Sequence, residues 1–165
     1  MKVLFLDIDG VLNSLQYVRR VKQAGTWGID PNTIPHLQRI VDETDCVLVL
    51  SSTWRLLHRM PYMRQLLQRK GMRYPVPLID KTPSLQSQSE GGIWMQKVRG
   101  DEVAAWLETA QNPVESYVCL DDDGDFLPHQ PLVQTNVETG LTADLASRCI
   151  DILGRKPLNT LGPQT

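Results

Sequence analysis

The chain alternates short, unbroken apolar runs with stretches in which apolar residues recur every three or four positions. Val3-Leu4-Phe5-Leu6 runs into Asp7-Ile8-Asp9-Gly10, and Tyr117-Val118-Cys119-Leu120 runs into Asp121-Asp122-Asp123. Such runs read as strands buried on both faces, the usual state in a parallel sheet covered by helices. The pattern predicts strands over 2–6, 46–50, 76–79 and 117–120, with 132–135 as a fifth at the sheet edge. Helical spacing fills the gaps. Asp30-Pro31 offers an N-cap and a first-turn proline to a helix over 31–43 with Ile34, Leu37, Ile40 and Val41 inward. A second helix starts at Pro61, turns Met63, Leu66 and Leu67 inward, and closes at Gly71. A third covers 101–110 through Val103, Trp106 and Leu107, and Thr142 caps a last one that runs through about Leu153.

Three stretches follow neither period. Residues 15–29 carry no sustained apolar stripe and are expected to form a flap or hairpin; 82–92, polar and glycine-rich, a mobile loop; and the tail from 157, a loose end. Strands alternating with helices predict an α/β fold, a doubly wound, mainly parallel Rossmann-like sheet flanked by helices, in a single domain over 1–156. The gap after the first strand holds a flap and one helix, and the gap from 79 to 94 a loop, so no large cap domain is expected.

Acids at the carboxyl ends of two such strands meet where open α/β sheets bind ligands. Carboxylates crowded there repel one another unless a hard cation such as Mg²⁺ neutralises them, which points to a metal-dependent enzyme. Composition narrows the alternatives. At 165 residues, 41% hydrophobic and 22% charged, the chain can bury a core without disulfides. Three cysteines make no disulfide framework, and with no two close in sequence and His36, His58 and His129 scattered, no zinc site is expected. Lys2 precedes only four apolar residues before Asp7, too few for a secretory leader or a membrane span, so a cytoplasmic location without membrane association is expected. The net charge of −2 conceals an asymmetry: residues 10–79 hold ten Lys/Arg against four Asp/Glu.

In order and spacing the chain resembles the haloacid dehalogenase superfamily of phosphohydrolases. Asp7-Ile8-Asp9-Gly10-Val11 matches its first motif, Ser51 at a strand end its second, and Asp121-Asp122, with Asp125 nearby, its fourth. The strings Leu50-Ser51-Ser52-Thr53-Trp54-Arg55, Arg99-Gly100-Asp101-Glu102 and Leu120-Asp121-Asp122-Asp123 resemble a compact subgroup associated with RNA repair. The resemblance implies a Mg²⁺-dependent phosphomonoesterase. Asp7 attacks phosphorus to give an aspartyl-phosphate, and Asp9 is the general acid and base. Mg²⁺ is held by Asp7, the carbonyl of Asp9 and Asp122, with Asp121 orienting from behind. Ser51 holds a phosphate oxygen, and Gly10 lets the backbone approach metal and phosphate. The third-motif cation is Arg99 or Lys97, with Lys81 a more distant choice, because the superfamily's usual Lys-Pro pair is absent between Ser51 and Asp121.

Around this centre, Gly10, Ser52, Trp54, Arg55, Arg19 and Arg20 are candidate substrate contacts, each beside a plainer reading. Ser52 can simply cap the segment that follows, Trp54 can be core, and Arg55 can hold a loop through a carboxylate. Arg19, Arg20 and Lys22 in the flap, with Arg55, His58 and Arg59 after the second strand, leave the acid edge and could receive a polyanion, whereas Arg64, Arg69, Lys70 and Arg73 read as a solvated face. An uncapped site suits a phosphate at the end of a large substrate, so a phosphorylated RNA or DNA end leads, with no stable protein partner expected. The alternatives are a small-molecule or nucleotide phosphatase and, in another class, a non-catalytic nucleic-acid binder or receiver-like signalling domain.

Overall fold

The computed structural model describes residues 1–22, 28–88, 94–96 and 98–155. Its centre is a five-stranded, all-parallel sheet of β1 (Lys2–Leu6), β2 (Val47–Leu50), β3 (Leu78–Lys81), β6 (Ser116–Asp121) and β7 (Leu132–Gln134), in the order β3-β2-β1-β6-β7. The apolar runs form these strands because both faces are covered. Leu4, Leu6, Leu48, Leu50, Val118 and Leu120 point into one core, shared with α2 (Ile34–Thr44), α4 (Met60–Arg69) and α6 (Ala143–Gly154). Val3, Phe5, Val49 and Cys119 point the other way, against Val103 and Trp106 of α5 (Arg99–Thr109). The Trp106 ring meets Phe5 edge-on at 5.3 Å. This is the expected doubly wound α/β architecture.

Several boundaries differ from the expectation. Residues 15–22 are helix α1 (Leu15–Lys22), not a flap. Ser14 Oγ accepts from the Tyr17 amide at 3.1 Å, and the free Leu15 and Gln16 amides are taken by the Val137 and Glu138 carbonyls at 2.8 and 3.3 Å. The rest of the expected flap lies largely outside the described residues. β3 begins two residues later than its apolar run. Within 82–92 lies β4 (Gln86–Gln88), paired antiparallel with β5 (Trp94–Gln96), where a loop was expected. Helix α2 starts after a turn in which Asp30 accepts from the Asn32 amide at 2.9 Å, so Asp30 caps that turn and not the helix. A one-turn helix, α3 (Trp54–Leu57), follows β2. Thr142 caps α6 as expected, accepting from the Leu145 amide. The tail from 156 lies outside the described residues. Among the described residues the segments after β1 and β3 contain helices and a short ribbon, and no cap domain.

Candidate active site

Strand register builds the site. β1 and β6 are neighbours with Leu6 beside Leu120, so the next residues, Asp7 and Asp121, emerge side by side at the carboxyl edge. The ladder continues one step, with the Asp7 amide on the Leu120 carbonyl at 3.0 Å and the Ser51 amide on the Leu6 carbonyl at 2.9 Å. Asp7 is thus flanked by Ser51 on one side and Asp121 on the other. Asp7, Asp121 and Asp122 each offer a carboxylate oxygen within 4.8 Å of the others.

Burial makes that arrangement costly. Asp7 is 4% and Asp121 1% exposed. Loss of hydration pushes the Asp7 carboxyl up to about 6, against the opposing pull of Arg99 and a hydrogen bond from the Ser52 side chain. Asp121 is pushed up to about 7, first by burial and then by the charge of Asp7. Asp122 is raised too, again chiefly by burial. Asp121 Oδ1 accepts from the Asp123 amide at 3.0 Å, but its Oδ2 is buried without a hydrogen-bond partner. A buried carboxylate oxygen that accepts no hydrogen bond, with only the Arg99 guanidinium 3.6 Å away, among three converging acids is what a hard divalent cation satisfies, so the donor set fits one.

The turn behind β1 is shaped around these acids. Gly10 has φ +69°, and a Cβ there would stand 2.4 Å from both Cγ and Oδ2 of Asp122. Glycine is required on both counts. The Gly10 carbonyl accepts from Thr135 Oγ1 at 2.8 Å, while the Thr135 amide bonds the Asp121 carbonyl at 2.9 Å, tying the two acid-bearing ends together. Asp9, by contrast, is exposed at the mouth. Asn13 Nδ2 holds its Oδ1 at 2.7 Å and Trp54 Nε1 its Oδ2 at 3.0 Å. Asn13 was not among the expected site residues, although its place four residues after Asp9 in one tight turn is the signal.

Arg99 reaches the acids from the first turn of α5. Its guanidinium lies 3.8 Å from Asp7, 3.6 Å from Asp121 and 4.0 Å from Glu102, and donates to the Ser51 carbonyl. Asp125 fixes that helix end: its carboxylate accepts the Arg99 amide at 3.0 Å and its carbonyl the Gly100 amide at 3.1 Å. Lys97 lies outside the described residues. Lys81 donates to the Arg55 carbonyl at 3.0 Å.

The remaining candidates take other places. Arg55 is 2% exposed and donates all five of its N–H groups: Nε to Thr82 O, Nη1 to Ser51 O and Ser52 O, and Nη2 to Pro83 O and Glu102. No donor is left for a substrate, so the expectation of a substrate contact is corrected. Arg55 ties the end of β2 to the segment after β3. Arg19 is exposed and doubly bonded to Glu138, and Arg20 sits 3.9 Å from Asp30 and against the Tyr17 ring. Trp54 packs, partly buried, against the main core, and its indole N–H holds Asp9. Ser52 is fully buried, beside Asp7.

A doubly wound sheet with paired acids at its central switch point, a glycine turn and a helix-borne arginine defines a haloacid dehalogenase-like domain. The family model described as the HAD domain in Swiss Army Knife RNA repair proteins matches residues 3–146, and the chain belongs to that family. It is therefore a member of the phosphatase and hydrolase superfamily, in a branch associated with RNA repair. No curated protein and no solved structure matches the chain. Among the described residues no helix is long and apolar enough to cross a membrane.

Proposed function

We propose that the protein is a Mg²⁺-dependent phosphomonoesterase that removes a terminal phosphate from a nucleic acid through an aspartyl-phosphate on Asp7. The observation that carries this reading is the convergence of Asp7, Asp121 and Asp122, with an Asp121 oxygen that accepts no hydrogen bond and Arg99 alongside. An Asp7 oxygen attacks phosphorus as the ester P–O bond breaks, and Asp9 gives its proton to the departing alcohol oxygen. Asp9 then takes a proton from the water that cleaves the acyl-phosphate, returning Asp7 and releasing inorganic phosphate. Asn13 and Trp54 hold the Asp9 carboxylate in place through both steps.

Ser51 and Arg99 offset charge on the phosphate oxygens, and Ser52 orients Asp7. Asp7, Asp122 and the Asp9 carbonyl would hold the cation, with Asp121 behind them, and the cation would neutralise phosphate and nucleophile together. RNA-repair family membership and the absence of a cap among the described residues support a nucleic-acid end as substrate.

The test is phosphate release with Mg²⁺ from 3′- and 5′-phosphorylated oligonucleotides, free nucleotides and an aryl phosphate, each against Asp7→Asn. Release concentrated on one oligonucleotide end, and lowered roughly 10⁴-fold or more in Asp7→Asn, is expected. Turnover by Asp7→Asn above a contamination control would sink the covalent route, and faster release from small phosphates would move the substrate class.

A further inference from the structure

A cavity of about 540 Å³ opens directly from the acid edge, with Asp9, Gly10, Asn13 and Asp122 at one end. Its walls are Leu15 and Val18 of α1, Trp54 and Leu57 of α3, His58 and Val137. Among the described residues no lysine or arginine lines it. Leu57 is 77% exposed and Leu15 and Val137 are partly so, an apolar set gathered where the fold gains nothing by leaving it open. The volume lies in the range of small-ligand sites.

Two considerations say what belongs there. In the proposed reaction the proton of Asp9 goes onto the leaving oxygen, so whatever carries that oxygen extends from Asp9, and the cavity starts at Asp9. Away from the acids its described walls are chiefly apolar and aromatic, which suits an uncharged planar group better than a run of phosphates. The Trp54 ring lies 5.3 Å from His58, and His58 stacks on Tyr62 at 4.8 Å, so a series of rings leads away from the acid edge.

We propose that this groove receives the base of the nucleoside that bears the terminal phosphate, stacked on Trp54 and flanked by His58, Leu57 and Val137; the proposal deepens the phosphomonoesterase reading and rests on it. The base is held on the leaving-group side, and the phosphate alone enters the acid centre. Recognition by ring stacking is tolerant of base identity, because every base has a π-face. The substrate is thereby defined as a phosphorylated nucleoside end, with sequence preference weak.

The experiment separates this from the chemistry. Equilibrium binding is measured on Asp7→Asn protein with short oligonucleotides whose terminal phosphate sits either on an ordinary nucleoside or on an abasic sugar, at the 3′ and at the 5′ end. The base-bearing end is expected to bind about tenfold more tightly at one of the two ends. Leu57→Ser and His58→Ala in the same background are expected each to cut that ratio to about threefold or less. Tyr74→Ala, exposed outside the groove, leaves it as it was. Equal affinity for base-bearing and abasic ends at both termini overturns the proposal, as does a ratio that neither groove variant changes. If the protein also sediments as a dimer that Leu57→Ser dissolves, the groove belongs to a second copy. Phosphate release by the wild-type protein is read in parallel. Release with base-independent binding rejects the groove alone, whereas base-dependent binding with no release keeps it and rejects the phosphatase reading.

Discussion

Two sets of charged side chains lie buried at the same end of the sheet, and they are built on opposite plans. The Arg55–Glu102 pair is saturated: every guanidinium N–H has an acceptor, Glu102 also accepts the Leu85 amide at 3.1 Å, and both side chains are almost wholly enclosed. The Asp7–Asp121–Asp122 set is short of positive charge, with carboxyls raised by burial and one oxygen without a hydrogen bond. Burying charge is costly in either place. In the first the cost is offset within the chain, which makes the pair a fastening. In the second it is left outstanding, which makes the set a site.

The largest effect expected from breaking this contrast is at the fastening. Arg55→Ala takes the buried guanidinium from Glu102 and one or more hydrogen bonds from each of four carbonyls, and is expected to cost about 3–5 kcal/mol in chemical denaturation. Arg55→Lys should recover little, because one ammonium cannot replace five fixed donors. An unchanged denaturation midpoint for Arg55→Ala would show the pair to be ornamental.

At the site the sign reverses. Asp121→Asn removes a buried charge crowded against Asp7 and is expected to raise the metal-free melting temperature, by a gain of about 1–3 kcal/mol, while weakening Mg²⁺ binding. The pH dependence follows from the same cause. The folded-state values of Asp7 and Asp121, about 6 and about 7, lie above their ordinary value of 3.8. Their contribution to stability is therefore fully present below about 3.8 and is lost progressively as pH rises from there through about 6 to 7. Thermal unfolding in chelator should show that decline and Mg²⁺ should abolish it; a metal-free protein whose stability stays flat over this range would remove the distinction between the two charge sets.

Gly10→Ala sharpens the contrast without altering charge. The added methyl would strike Asp122 and is expected to weaken apparent Mg²⁺ affinity about 10- to 100-fold in titrations of activity, with the fold kept. Least of all is expected from Arg19→Ala, whose exposed pair with Glu138 contributes under about 1 kcal/mol in a thermal melt. A larger loss would mean that α1 is fastened at its surface and not by its end caps.

What the sequence made legible follows from range. Asp7 and Asp121 could be found because each closes an apolar run, and strand adjacency then brings them together. Arg99 was reachable only through the resemblance, which called for a cation and left Lys97 beside it; in the structure it opens the helix that the spacing of Val103 and Trp106 implied from 101 on. Arg55 was misjudged because sequence shows charge but not which carbonyls surround it; Thr82, Pro83 and Glu102 lie 27 to 47 residues away. Helix α1 was missed since its first amides are capped by residues more than a hundred positions on, and two of its apolar residues, Leu15 and Val18, line a groove instead of the core. The β4–β5 ribbon was missed because Gln86-Ser87-Gln88 carries no apolar alternation.

The loop after β6 ends on the first turn of α5, where Asp125 holds the Arg99 and Gly100 amides and Gln130 bonds the Gly100 carbonyl at 2.9 Å. Acids and arginine therefore share one rigid frame. In the proposed reaction an arriving phosphate dianion would meet a counter-charge already in position, and the dipolar rearrangement that water would undergo as charge moves would have been completed during folding. Part of the speed of such a centre is set before any substrate arrives.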